Sequence, residues 1–428
     1  MLGRNLQLPS ILLFVMAIIS CGGGGGGSSN SNPSGSGGSS STSVTYSFSG
    51  GTPTAAAVQI GTGTFTSATL QSGKLALSIP QGTTTYAIAF VCPPTAGFGN
   101  TVTSEYIIEA AIQDGTAFSL NCGATLTTSN VTGSVDASAV PGAANVLIRG
   151  TAGYGGQLGG TTGTFNVTLP NGTNDVAFVA IDSAVQPNVL AVKILRNQTA
   201  PGAVNGGNAV VFSSADLTAN QSFAVTNIPS GFVTPPAASV EYYTANGTYI
   251  LLDNNSATQY PAVPAAAKQS GDFYLFEANT SDTATHNSAV GITQTNTTGG
   301  SATIALPTQW TYSGPTPAKL PTFTFAYSGY SGLADVAQQA EIEWAPTPTT
   351  LTTITVTATT NAQNGATTLA IPDLSSISGF SASAPSGTNV YWVAAIYGGS
   401  AEEFSFYPNP PSNGSLAFVQ NRGNYTQP

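Results

Sequence analysis

Two glutamates, Glu341 and Glu343, have the type and spacing that acid–base chemistry requires. They flank Ile342 and precede Trp344, so an extended strand would place both carboxylates on one face. Carboxyl groups about 5–9 Å apart can serve a glycosidase as the acid and as the nucleophile or base. The structural alternative is that Ile342 and Trp344 point into a core and the two glutamates form the solvent face.

Other catalytic and metal-binding arrangements are not found in the sequence. A hydrolase triad needs a serine, a histidine and a carboxylate, but the single histidine, His286, lies in a polar segment and no Gly-x-Ser-x-Gly motif is present. Zinc sites need three or four His, Cys or carboxylate ligands. We therefore expect a protein that is not an enzyme and that holds no metal and no cofactor.

Residues 1–20 have the pattern of an export signal. Arg4 precedes an apolar run from Ile11 to Ile19, which is too short to span a bilayer comfortably, and a small residue precedes Cys21. The segment Ile18-Ile19-Ser20-Cys21 resembles the lipobox of bacterial lipoproteins. The resemblance implies cleavage before Cys21, a diacylglycerol on its thiol and an acyl chain, such as palmitate, on its new amino group. The expected partner is then the membrane, through this lipid anchor.

Residues 21–42 would form a flexible linker, because Gly22–Gly27 is followed by Ser, Asn and Gly. In the lipoproteins of enteric bacteria, Asp directly after the lipidated cysteine retains the protein in the inner membrane. Gly22 occupies that position here. The resemblance therefore favours an exported protein at the outer membrane or the cell surface.

The two remaining cysteines, Cys92 and Cys122, form an even pair in an exported chain and predict a disulfide bond. Two free thiols are the alternative.

Aromatic residues cluster in the C-terminal half of the chain. Trp310, Tyr312, Tyr327 and Tyr330 are the candidates for stacking on a ligand, and Tyr391-Trp392 follows further on. Such rings stack on sugar faces and dominate the energetic centres of protein interfaces. Packing in the cores and corners of β-sandwiches is the alternative.

The composition limits the classes of partner. Only 6% of the residues are charged, and 18 carboxylates face 8 basic residues, for a net charge of −10. Nucleic-acid binding needs clustered Lys and Arg, so it is excluded. An uncharged polar surface favours a polysaccharide or an envelope protein as the partner.

Short apolar runs bounded by Gly, Pro, Asn and Ser predict an all-β fold of tandem β-sandwiches. A weak internal repeat supports this prediction: Ala76–Thr83 and Asn166–Thr173 each give a strand and a Pro-x-Gly-Thr turn before another strand, with looser echoes at Ala302–Pro307 and Thr368–Pro372. We expect these turns to close hairpins. The unit resembles carboxypeptidase-regulatory-like, transthyretin-type sandwiches and also immunoglobulin-like modules.

The turn signals divide the chain after the linker into four predicted modules, at residues 43–126, 127–227, 228–314 and 315–428. The expected function is that of a non-enzymatic, envelope-anchored lipoprotein with an adhesive, structural or ligand-binding role. The alternative is a carbohydrate-active protein, either a glycan-binding component or a glycosidase that uses Glu341 and Glu343.

Overall fold

The fold is all-β, as predicted, and in the computed structural model 59% of the described residues are in strands and 5% in helices. The structure describes residues 41–97, 100–123, 127–151, 153–183, 188–233, 236–253, 258–282, 287–295, 302–329, 334–381, 383–399 and 415–428. The predicted signal segment, Cys21, His286 and Tyr330 lie outside these residues.

The first sandwich consists of a small sheet packed on a larger one. Its strands are β1 (Ser41–Ser49), β2 (Ala55–Ile60), β3 (Thr66–Ser67), β4 (Lys74–Pro80), β5 (Thr85–Val91), β6 (Thr95–Gly97), β7 (Asn100–Ala111) and β8 (Ala117–Asn121). Strand β1 pairs antiparallel with β4 and parallel with β8 to form the small sheet. Strands β3-β2-β5-β7 form the larger sheet, and a core that includes Tyr46, Ile88 and Phe90 fills the space between the two sheets.

The second sandwich repeats this arrangement. Its strands are β9 (Thr128–Asp136), β10 (Asn145–Arg149), β11 (Gly155–Leu158), β12 (Thr162–Pro170), β13 (Gly172–Ile181), β14 (Val189–Ala200), β15 (Gly202–Ala203) and β16 (Val210–Val211). Its first strand, β9, again pairs antiparallel with the fourth, β12, and parallel with the last strands, β15 and β16. The larger sheet is ordered β11-β10-β13-β14, that is third-second-fifth-sixth, which is also the order in the first sandwich when the short β6, paired with β7, is left out of the count.

The third sandwich has the same order with its first strand split in two. The strands are β17 (Ala219–Ser222), β18 (Ala224–Thr226), β19 (Ala237–Tyr243), β20 (Tyr249–Asp253), β21 (Gln259–Ala262), β22 (Phe273–Asp282), β23 (Asn287–Thr295) and β24 (Thr303–Ala305). Strand β17 pairs antiparallel with β21, and β18 pairs parallel with β24. Both β17 and β18 precede the predicted boundary at residues 227/228, so this sandwich draws strands from both sides of it.

The fourth sandwich keeps the order of the first six strands. They are β25 (Thr322–Thr324), β26 (Ala334–Thr347), β27 (Thr350–Thr359), β28 (Thr368–Ala370), β29 (Asn389–Gly399) and β30 (Ser415–Thr426), with one helical turn, α1 (Thr360–Gln363), after β27. Strand β25 pairs with β28, and within the described residues no strand pairs with the other edge of β25.

The larger sheets of the first, third and fourth sandwiches are one continuous sheet. Its path is β20-β19-β22-β23-β30-β29-β26-β27-β7-β5-β2-β3. Strands β23 and β30 join the third and fourth sandwiches in antiparallel pairing, and β27 and β7 join the fourth and first in parallel pairing. The sandwiches are thus tandem in sequence but share backbone hydrogen bonds in space.

The turns of the internal repeat connect the two sheets of a sandwich rather than closing hairpins, so the hairpin prediction was wrong. Strand β4 pairs with β1 and not with β5, and β12 pairs with β9 and not with β13. Gly82 and Gly172, with φ of 89° and 102°, supply the left-handed backbone at which the chain crosses between the sheets.

The strands that follow these turns are buried on both faces. In β13, Val176 and Phe178 belong to the core of the second sandwich, whereas Ala177 and Val179 belong to a core shared with the third. This explains why the run is almost continuously apolar rather than alternating.

A buried ionic network joins the second and third sandwiches. The Arg196 guanidinium contacts the Asp175 carboxylate at 3.0 Å and the Asp272 carboxylate at 2.6 Å, and it also donates to the Ala267 carbonyl. Both aspartates are about 1–6% exposed. The Tyr242 hydroxyl donates a further hydrogen bond to Asp272.

Side-chain hydrogen bonds also tie the first sandwich to the fourth. Asp114 accepts from Thr359 Oγ1 and from Asn361 Nδ2, each at 2.6 Å. The Ser381 amide donates to the buried Glu105 carboxylate at 2.6 Å. These contacts flank the β27–β7 pairing and fix its register.

The predicted disulfide between Cys92 and Cys122 is present, with the two Cα atoms 5.1 Å apart. Cys92 follows β5 in the larger sheet and Cys122 follows β8 in the small sheet, so the bond joins the two layers of the first sandwich. A Cβ on Gly51 would lie 2.8 Å from the Cys122 carbonyl oxygen, so the chain passes close to this bond only because residue 51 is glycine.

We predict that the double variant Cys92→Ala/Cys122→Ala loses about 3–4 kcal/mol of stability in the first sandwich, because the bond closes a loop of about 30 residues. Denaturant unfolding under oxidising conditions measures the loss. Dithiothreitol should destabilise the native chain by a similar amount and leave the double variant unchanged. Equal sensitivity of both proteins to dithiothreitol would contradict the prediction.

Candidate functional site

Of the aromatic residues proposed from the sequence as ligand platforms, Trp310 lies in the core of the fourth sandwich, and Tyr312 and Tyr327 are partly buried against that core. Trp310 is 4% exposed and stacks on Tyr312 and Phe325, with ring centroids 5.0 and 5.7 Å apart. The Asn421 side-chain amide donates to the Trp310 carbonyl at 2.9 Å. A ring held in this way is not accessible to a sugar.

Tyr312 and Tyr327 hold the segment before β25 in place. The Thr324 amide, on the edge of β25 opposite β28, donates to the Tyr312 hydroxyl at 3.4 Å. The Tyr327 hydroxyl donates to the Thr308 carbonyl at 2.8 Å. The segment that carries Trp310 and Tyr312 thus packs beside β25, where the other sandwiches have their seventh strand.

Trp392, on β29, anchors the centre of the same core. A Cβ on Gly314 would lie 2.7 Å from the indole, and a Cβ on Gly423 would lie 2.6 Å from it. The indole is therefore held between two backbone segments that only glycine allows to come so close. Its neighbour Tyr391 points to the opposite face of the sheet and is 45% exposed.

Tyr391 stands in a row of polar side chains across four strands. The register places it opposite Glu343 on β26 and Asn424 on β30, and Glu343 is itself opposite Thr353 on β27. Neighbours in such a row have Cβ atoms about 4.5–5.5 Å apart.

A second row lies two residues along the strands. It contains Thr355, Glu341, Val393 and Arg422 in the same strand order. Arg422 and Asn424 are exposed, Glu341, Val393 and Glu343 are partly buried, and within the described residues Arg422 forms no ion pair. We call the two rows together the Tyr391 face.

The two glutamates singled out from the sequence do share this face, while Ile342 and Trp344 point into the core. Burial raises the pKa of Glu341 to about 7, and the negative charge of Glu343 adds to the shift, against a hydrogen bond that Thr355 donates to Glu341 at 3.2 Å. Burial also raises the pKa of Glu343, against a hydrogen bond from Thr353.

A second pair of glutamates lies on the same side of the continuous sheet, in the third sandwich. Burial raises the pKa of Glu241 to about 7, against a hydrogen bond that Tyr243 donates to its carboxylate at 2.9 Å. Burial likewise raises the pKa of Glu277, on the neighbouring strand β22. Glu341 is therefore not the only glutamate on this side of the sheet whose pKa burial raises to about 7.

The described residues offer little for other chemistry. Among them no group of three or more His, Cys, Asp or Glu side chains could hold a metal ion, and no helix is long and apolar enough to cross a membrane. A shallow, open depression of about 540 Å³ lies on the small sheet of the second sandwich. Its lining has no titratable side chain and consists of Thr132, Gly133, Ser134, Thr164, Phe165, Asn166, Ala203 and Gly207.

Sequence reasoning did not identify Arg422 and Asn424. Their signal was the alternation of β30, in which Asn421, Gly423 and Tyr425 face the core side and the residues between them face outward. The alternation predicts on which face of β30 each residue lies. It does not predict which strands lie beside β30, so the proximity of Arg422 and Asn424 to Tyr391 could not be predicted from it.

Comparison with known proteins gives little further information. No protein-family model matches the chain, and no curated protein is similar to it. One solved structure, titled "The Bacillus anthracis TIE protein", matches 56% of this chain and 45% of its own length at 13% identity, with a TM-score of 0.15. The match spans less than half of that protein.

We predict that the free energy of unfolding rises as the pH falls from about 8 towards 5. Glu241 and Glu341 have pKa values near 7 in the folded chain and ordinary values in the unfolded one, so the folded state binds more protons in this window. Stability is therefore gained on acidification and lost as the pH rises through 7. The pKa of Asp175 is lowered, so its contribution is lost only at lower pH.

Denaturant unfolding at a series of pH values tests this expectation. The variants Glu241→Gln and Glu341→Gln mimic the protonated acids and should each flatten the profile between pH 5 and 8, whereas Asp373→Asn, at an exposed turn, should not. Acid unfolding with a midpoint near pH 4–5 would show the reasoning to be wrong.

Proposed function

We propose that this protein is a non-enzymatic lipoprotein, held at the outer membrane or cell surface through Cys21, that acts as a rigid platform for adhesive, structural or ligand-binding contacts. The observation that carries the proposal is the continuous sheet through three of its four sandwiches. The β27–β7 and β23–β30 pairings join the first, third and fourth sandwiches by backbone hydrogen bonds, so these three sandwiches cannot move independently of one another. A rigid body on the flexible linker that the sequence predicts for residues 21–42 suits the presentation of a surface at a distance from a membrane.

Of the two fold resemblances, we propose the transthyretin-type, carboxypeptidase-regulatory-like one. When the short β6 is left out of the count, and β15 with β16 and β17 with β18 are each counted as one strand, the first, fourth and seventh strands form one sheet in each of the first three sandwiches, and the second, third, fifth and sixth form the other. The immunoglobulin constant-type sandwich instead groups the first, second, fourth and fifth strands. The grouping therefore disfavours the immunoglobulin alternative.

We expect the chain, expressed in a bacterium, to incorporate radiolabelled palmitate and to fractionate with membranes. The variant Cys21→Ser should lose the label, because no thiol remains at residue 21 to carry the diacylglycerol. The variant Ser20→Ala keeps a small residue before the cysteine and serves as the matched control. Labelled Cys21→Ser, or a wild type without label, would exclude the lipoprotein proposal.

A second candidate function, glycoside hydrolysis, is favoured by one observation. Glu341 and Glu343 share a face, and burial raises the pKa of Glu341 to about 7, which suits a general acid at neutral pH. Residues two apart on one strand have Cα atoms about 6.5–7 Å apart, a backbone spacing from which two glutamate side chains can place their carboxyl groups about 5–9 Å apart.

If this candidate is correct, Glu341→Gln should lower the rate of hydrolysis by about 100-fold or more and leave polysaccharide binding intact. Release of reducing ends from neutral polysaccharides measures the rate. Glu277→Gln removes a comparable buried carboxylate from the third sandwich and is the control. Absence of hydrolysis by the wild type at pH 5, 6 and 7 would remove the candidate.

A further inference from the structure

Tyr391 differs from the other exposed apolar residues of the described chain. The exposed large apolar side chains are Val211, Leu217, Ile228, Val233, Leu251 and Tyr391. Tyr391 is the only aromatic residue among them and the only one in the fourth sandwich. Among the described residues no other large apolar side chain of the fourth sandwich is exposed, although the partly buried Val393 lies two residues along the same face.

The position of Tyr391 is fixed by its surroundings. Strand β29 pairs with β30 from Asn389 onwards and with β26 from Tyr391 onwards, so the backbone of Tyr391 itself is paired on both sides. Directly behind it, the Trp392 indole is held between Gly314 and Gly423. The backbone that carries the Tyr391 ring is thus ordered before any ligand arrives, which lowers the entropic cost of binding.

The groups around the ring include both donors and acceptors of hydrogen bonds. Asn424 carries an amide, Arg422 a guanidinium, and Glu343 and Glu341 carboxylates. Within the described residues, Asn424 and Arg422 have no hydrogen-bond partner for their side chains. An exposed ring flanked by donors and acceptors of hydrogen bonds complements a sugar, which has an apolar face and hydroxyls at its edges.

We propose that the Tyr391 face binds a neutral polysaccharide, with a sugar ring stacked on Tyr391 and its hydroxyls bonded to Asn424, Arg422 and Glu343. The proposal rests on the ligand-binding role proposed above and assigns it a site and a ligand class.

The charges and the shape of the face distinguish a neutral glycan from other occupants. Arg422 is the single basic group of the face and stands against two glutamates, and the chain carries a net charge of −10, so the face offers a polyanion no net attraction. The energetic centre of a protein interface is instead a cluster of buried apolar and aromatic residues. A lone aromatic ring among polar groups does not provide such a centre.

The test uses the mature chain, residues 21–428, with Cys21→Ser. The probes are the neutral polysaccharides starch, dextran, laminarin, galactomannan and xylan, with heparin as the polyanion. Affinity electrophoresis and tryptophan fluorescence measure binding. We expect saturable binding of at least one neutral polysaccharide and none of heparin. Tyr391→Ala should weaken it about tenfold, as expected for the loss of about 1–1.5 kcal/mol of stacking.

Matched variants show whether the ring itself is responsible. Tyr391→Phe keeps the ring and should bind nearly as the wild type does. Leu251→Ala shortens an exposed apolar side chain on the same sheet, in the third sandwich, and should have no effect. Asn424→Ala and Arg422→Ala should each weaken binding, and unchanged thermal unfolding of each variant excludes loss of the fold as the cause.

The outcomes separate this site from the function on which it rests. If the wild type binds a neutral polysaccharide and Tyr391→Ala binds it equally well, the site is wrong while the ligand-binding role stands. If the wild type binds heparin alone or no polysaccharide at all, the glycan proposal is overturned, whereas palmitate labelling decides the anchored platform independently.

Discussion

The pairing of edge strands is the constraint on which the rest of this structure depends. A four-stranded sheet leaves backbone groups unpaired along both of its edges, and in tandem sandwiches these edges invite aggregation. Here β27 pairs with β7, and β23 pairs with β30. The larger sheets of the first, third and fourth sandwiches thus form one sheet, whose outer edges among the described residues are β3 and β20. Strand β3 is two residues long, which makes it a poor template for a further strand.

The parallel pairing of β27 with β7 also determines which faces of the continuous sheet are covered. Ile107 of β7 belongs to the core of the fourth sandwich, whereas its neighbour Ile108 belongs to the core of the first. The small sheets of the first and fourth sandwiches therefore cover opposite faces. The side that the first sandwich covers is left open over part of the fourth, and the Tyr391 face lies there. The second sandwich is joined differently, through the Arg196 network, and the loss of one partner there would leave a buried charge uncompensated.

Local patterns in the sequence were sufficient for the class of fold and for the disulfide. The alternation around Ile342 and Trp344 indicated a strand, and β26 covers it. The echo at Thr368–Pro372 coincides with β28, the fourth strand of its sandwich, but the echo at Ala302–Pro307 coincides with β24, a seventh strand. Periodicity reports which residues face inward and not which distant strand lies alongside. The continuous sheet and the crossing turns follow from such distant pairing, so they could not be derived from the sequence.

The aromatic residues show the same limit at the level of a site. Trp310 and Tyr391 look equally suited to stacking when only their neighbours in the sequence are considered. In the fold, Trp310 fills space beside β25, which lacks a seventh-strand partner among the described residues, and so it becomes part of the core. Tyr391 and Trp392 are adjacent on β29 and therefore point to opposite faces of the sheet. The Trp392 ring packs in the core, and the Tyr391 ring is exposed on the other face. Recognition and stability are thus divided between adjacent residues. A change at Trp392 would therefore disturb the Tyr391 face without touching any atom of it.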